Sequence, residues 1–123
     1  MNRPTTKELF NKIRDARQAV AGERIEVVEA DVVAADAIEL EYDLETELKA
    51  ILEDFLAGIS PQHYAGPRPP QKSYKDKIQG LDMFAFVFDS TYFRKPAYLK
   101  FAIAHETFWL VSLHRNRPNK EKP

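Results

Sequence analysis

The chain has no cysteine, one tryptophan, four glycines and three histidines in 123 residues. Without thiols it can form no disulfide, cysteine-based zinc site, thiol nucleophile or redox pair. Its longest apolar runs, such as residues 83–88, are far shorter than the roughly 20 residues a membrane-spanning helix needs. The first residues carry no apolar signal core, so a cytoplasmic location is expected. There is no glycine-rich phosphate loop, no nucleophile motif and no pair of histidines at helical spacing, which argues against a small-molecule enzyme and against metal chemistry. No cofactor and no metal are expected.

What is present describes one domain over residues 1–123. Hydrophobic side chains make up 44% of the chain, and a chain of this size can bury about two-thirds of its unfolded surface in a single core. Residues 118–123 read as a frayed tail. The net charge of −1 would by itself argue against a polyanionic partner. It hides a division, however. Residues 1–59 hold 7 basic and 14 acidic side chains, while residues 60–123 hold 11 and 5. Two solvated faces of opposite sign would explain this, and so would a basic functional half.

Thr5 with Glu8 three residues later forms a capping-box pattern, and Leu9, Ile13, Ala16 and Val20 recur at helical spacing before Gly22, predicting a helix from about Thr6 to Ala21. Residues 24–28 are a short β-rich run, and 30–37 a short helix or turn-rich connector. Asp43 caps a further helix carrying Leu44, Leu48, Ile51, Leu52 and Phe55, ended by Gly58. Ser60-Pro61 starts one more helical turn. Gly66, Pro67, Pro69 and Pro70 then force an extended loop that also carries His63, Tyr64, Arg68, Lys72 and Tyr74. Three β-rich runs follow, at 81–88, 97–104 and 108–114. Helices followed by consecutive strands predict an α+β fold, with N-terminal helices packed on one face of a C-terminal antiparallel sheet and the other face open to solvent or ligand.

The register of the last hairpin decides which side chains occupy that open face. A three-residue turn at His105-Glu106-Thr107 puts Leu99, Phe101, Ile103, Trp109, Val111 and Leu113 on one apolar face. Tyr98, Lys100, Ser112 and His114 then lie on the other, with Tyr98 opposite His114 and Lys100 opposite Ser112. A two-residue turn would mix apolar and polar residues, so the longer turn is expected, although it lacks the glycine such turns prefer. Arg115 and Arg117 follow at once, and Arg94 and Lys95 precede the strand. His105 reads as a turn residue.

These residues resemble a known family. Ala97-Tyr98-Leu99-Lys100-Phe101, then Leu110-Val111-Ser112-Leu113, resembles the terminal hairpin of the MqsR toxins, members of the RelE-like ribonuclease fold. Ala21-Gly22, Ala35-Asp36, Tyr42-Asp43, Ile59-Ser60 and His63-Tyr64 fall in the family's order, so the likeness spans roughly residues 9–114. It implies a metal-independent endoribonuclease acting on mRNA, held inactive by a cognate antitoxin protein and reaching operator DNA through it. Tyr98 matches the family's tyrosine in the penultimate strand. His114 stands where the family has a lysine, and would act as general acid or base. Tyr98 would orient the phosphate or share the proton transfer. Lys100 and Arg115 would bind the phosphodiester, and Arg68, Lys72, Tyr74, Arg94 and Ser112 would contact RNA. His63 and Tyr64 are further candidates. Two positions depart from the family: its mid-chain lysine falls at Ala65 and its glutamine at about Ala85. These absences support an alternative, a non-catalytic or weakly catalytic module that uses the same basic face to bind RNA or an acidic protein segment.

Overall fold

The computed structural model describes residues 3–116, so Arg117 and the expected tail lie outside the described residues. Thr5 is extended, and its hydroxyl accepts a hydrogen bond from the Glu8 backbone N–H at 3.1 Å. This satisfies one of the free donors at a helix start and begins α1 (Thr6–Ala21). Glu8 turns its carboxylate to Arg3 at 2.6 Å. After β1 (Ile25–Val27) comes α2 (Ala30–Leu40), a full helix where a connector was one expectation, closed by Glu41 in the left-handed region. Asp43 accepts from the backbone N–H groups of Glu45 and Thr46 and starts α3 (Leu44–Gly58). The end of α3 needs its glycine, because a Cβ at Gly58 would stand 2.3 Å from the Phe88 ring. A short 3₁₀ turn at Pro61–His63 leads into the proline-rich loop, and a second, unforeseen one spans Asp76–Ile78. Then follow β2 (Phe84–Ser90), β3 (Lys95–Ala104) and β4 (Thr107–Arg115).

The architecture is α+β, but the sheet is mixed and not wholly antiparallel. Its order is β1-β4-β3-β2, with β1 parallel to β4 and the other pairs antiparallel. Phe108 donates to Arg24 O and Val28 donates to Leu110 O, binding β1 to the first half of β4. Beyond β1, α2 packs alongside β4. Faces of α1 and α3 bearing Leu9, Ile13, Val20, Ile51, Leu52 and Phe55 close over Phe84, Phe86, Leu99, Phe101, Phe108, Leu110 and Leu113. Phe86, Phe101 and Phe108 form a run of stacked rings at 5.9 and 4.9 Å.

The final hairpin corrects the expected turn while keeping the expected polar pairs. Ala104 faces Thr107 across a two-residue turn, with His105 at φ 53° and Glu106 at φ 63°. Both are left-handed, the geometry whose twist suits a hairpin. Neither is the glycine or asparagine that adopts it easily, and Arg24 holds the turn by donating Nε–H to Glu106 O at 2.7 Å. The register then shifts between Lys100 and Phe101 by a β-bulge at Val111, so Lys100 faces Ser112 and Tyr98 faces His114 as expected. The bulge lets Phe108, Leu110 and Leu113 all enter the core. It also moves Trp109 and Val111, expected there, to the opposite face, where they join Val28, Ile78, Leu81 and Ala102 in a second apolar cluster. The outer face is therefore only half open: the loop carrying Ile78 covers the end near the turn.

Candidate active site

Period-two alternation builds the open half of the outer face from two cross-strand rows. One row is Val87, Tyr98 and His114; the next is Ala85, Lys100 and Ser112. In the first, the Tyr98 and His114 rings stack, with centroids 4.8 Å apart and planes 8° from parallel. His114 Nδ1 lies 2.8 Å from Arg115 O. A carbonyl oxygen only accepts, so Nδ1 must carry the proton. In the neutral ring Nε2 then carries the lone pair, which makes it the proton-accepting atom. Burial pushes the Tyr98 phenol above its ordinary value, so it stays protonated, a donor, at neutral pH.

In the second row, Lys100 has no carboxylate partner among the described residues. The neighbouring cations are engaged. Lys72 bonds Asp82 at 2.8 Å and Lys75 bonds Glu29 at 3.0 Å. Asp82 also receives Arg3 at 2.7 Å. Burial pushes its carboxyl up, but the hydrogen bonds from Lys72 and Arg3 outweigh burial and hold it below the usual carboxylate range. Between residues 71–75 and the sheet lies a cleft of about 410 Å³ lined by Gln71, Lys72, Ser73, Tyr74, Lys75, Met83, Lys100, Val111 and Ser112, with Glu29 and Val32 on its far side. Lys75, Gln71 and Met83 were not foreseen as part of it. Their placement depends on the loop pairing back onto residues 81–83, where Met83 donates to Gln71 O and Ser73 to Leu81 O.

Several expected site residues lie elsewhere. Arg115 follows His114 by one residue, so it shares the helical side of the sheet with its partner Ala97 and reaches Glu39 of α2 at 3.9 Å. Tyr64 pairs with Phe86 and packs its ring edge-on against it at 5.7 Å. Its hydroxyl donates to Pro67 O, and burial raises its pKa. Arg68 lies over that Tyr64 ring at 5.1 Å and donates to Pro4 O, in a hollow shared with Leu9 and Phe10 of α1. His63 accepts from Ser60 N–H through Nδ1 at 3.0 Å and sets its ring edge against Phe88, so it caps a turn. Arg94 sits in the β2–β3 turn with φ 58°, beside Asp89 and Thr91.

Ala65 and Ala85 fall together. Ala85 is opposite Lys100, and Ala65 donates its N–H to Ala85 O at 2.8 Å. Among the described residues no three His, Asp or Glu side chains converge as ligands for a metal ion, and no helix is long and apolar enough to cross a membrane. Compared with known proteins, the chain matches no family model and no curated protein.

Proposed function

We propose that the chain is an endoribonuclease of the toxin type, RelE-like in architecture and similar to MqsR, whose reacting groups are His114 and Tyr98. The observation that carries the reading is the stacked pair: a histidine whose tautomer is fixed by a carbonyl, beside a phenol kept protonated. Nε2 of His114 takes the proton from an RNA 2′-hydroxyl, and the oxygen attacks the adjacent phosphorus. The P–O5′ bond breaks, and the leaving oxygen takes the Tyr98 proton. The products are a 2′,3′-cyclic phosphate and a 5′-hydroxyl; water returns the proton from His114 to Tyr98. Lys100, with Ser112 facing it, stabilises the charge gathering on the phosphorane. The reading brings with it an antitoxin protein as partner, and operator DNA through that partner.

Purified protein incubated with end-labelled RNA in EDTA provides the test. Expected are products with cyclic phosphate ends, and a rate at least ~100-fold lower in His114→Ala, the scale of losing a general base. Tyr98→Phe, which keeps the stack and removes the acidic proton, should also slow cleavage. No cleavage by the native chain, or equal cleavage by a folded His114→Ala variant, overturns the proposal. A second reading, RNA binding without cleavage, is favoured by the alanines at 65 and 85, which leave Lys100 as the one cation of its cross-strand row among the described residues. It predicts affinity that falls steeply with salt and no new RNA ends.

A further inference from the structure

The cleft next to the Tyr98–His114 pair has features the cleavage chemistry leaves unused. Its floor is apolar, made by Met83 and the bulge residue Val111, and Lys100 and Ser112 stand at the side toward the pair. Its volume of about 410 Å³ is within the range of small-molecule sites. At its rim is Tyr74, 87% exposed, the most exposed large apolar side chain among the described residues.

An exposed tyrosine in a loose loop would mean little, but this loop is held on both sides of Tyr74. Ser73, only 3% exposed, donates its N–H to Leu81 O at 2.9 Å and accepts from Gly80 N–H at 2.9 Å. Its hydroxyl accepts from Lys75 N–H at 3.0 Å. Lys75 is tied in turn to Glu29 across the cleft. The loop backbone is thus ordered before any ligand arrives, which lowers the entropy lost on binding.

We infer that this cleft seats a nucleobase beside the scissile phosphate, with Tyr74 as its stacking platform, and that it selects purines over pyrimidines. The inference rests on the ribonuclease reading of the Tyr98–His114 face. Lys100 and Ser112 lie one pleat repeat from that pair, about 7 Å along the strands, so a ribose held at the pair has its base within reach of the cleft. A ring stacked on tyrosine over methionine and valine gains with its apolar area, and a purine offers more of it. Lys100 has three N–H donors; one can serve the phosphate while another meets the purine N7 acceptor, which pyrimidines lack.

Two uridine-rich oligoribonucleotides, identical except for one adenosine or one cytidine flanking the cleavable bond, would be compared for cleavage. The same pair carrying a 2′-deoxy sugar at the reacting position would be compared for binding by fluorescence anisotropy. Expected are binding and kcat/KM at least ~10-fold better for the purine strand, loss of that preference in Tyr74→Ala, its return in Tyr74→Phe, and weakening by 7-deazaadenosine. Equal binding of the two strands, or an undiminished preference in Tyr74→Ala, overturns the inference while leaving cleavage at Tyr98 and His114 standing. Purine-selective binding without cleavage supports the cleft as a nucleobase site and removes the ribonuclease reading.

Discussion

Deleting Val111 tests whether the last hairpin is built as described. In a regular ladder, removing one residue turns every later side chain to the opposite face. Leu113, fully buried, would leave the core at a cost of about 2–3 kcal/mol. His114 would enter in its place, adding about 1–3 kcal/mol for buried polar atoms without partners. That sum, about 3–6 kcal/mol, rivals the whole stability of a small domain. The bulge changes the outcome. Val111 is the extra residue between Leu110, paired with Phe101, and Ser112, paired with Lys100, so its removal makes the ladder regular and turns no later side chain. The loss is then limited to the half-buried valine in the second apolar cluster, about 1 kcal/mol. Urea unfolding followed by Trp109 fluorescence and by far-ultraviolet circular dichroism measures the difference. A cooperative transition about 1 kcal/mol weaker than that of the native chain is expected. A shortened chain that does not fold, or one destabilised by more than about 4 kcal/mol, refutes the reasoning.

Ala65→Lys places a cation at an exposed position one hydrogen bond from Ala85, which is opposite Lys100. It should tighten RNA binding and steepen the dependence of log affinity on log salt by about 0.7, the single-strand value for one added phosphate contact; unchanged affinity and slope would show that RNA does not cross this row. Tyr42 is buried against Phe93, and its hydroxyl has no hydrogen-bond partner among the described residues. Burial, with Asp36 nearby, pushes its pKa up to about 12. Tyr42→Phe relieves the desolvated hydroxyl and should raise stability by about 1 kcal/mol, read as a higher urea midpoint; a lower midpoint would mean that the hydroxyl is satisfied in solution.

Local signals in the sequence reached far into this structure, and non-local ones did not. Thr5 and Asp43 mark their helix starts because a cap acts within three residues. The Tyr98–His114 and Lys100–Ser112 pairs follow from a short hairpin. Two competing constraints there are both obeyed: the two-residue turn fixes one register, and the three-residue step from Leu110 to Leu113 demands another, so a bulge reconciles them. The parallel pairing of Ile25 with Phe108 left no trace, since no turn links the partners. Arg115 was misplaced although its signal was available, because alternation alone sends it to the face away from His114. Arg68 was not legible: its position depends on Tyr64 being fixed to Phe86.

The margins of the sheet carry a consequence for the behaviour of the protein at high concentration. An uncovered strand edge is a template for intermolecular pairing, and chains that avoid aggregation shorten, charge or block such edges. Here β1 spans only Ile25–Val27, with an exposed glutamate at its centre, and α2 takes over the flank of β4 where β1 ends. On the opposite side, β2 is met by Tyr64 and Ala65, and Pro67, Pro69 and Pro70 have no N–H to donate to an incoming strand. A four-stranded sheet of aromatic-rich strands is thereby left with a shortened edge on which an amyloid-like stack could grow.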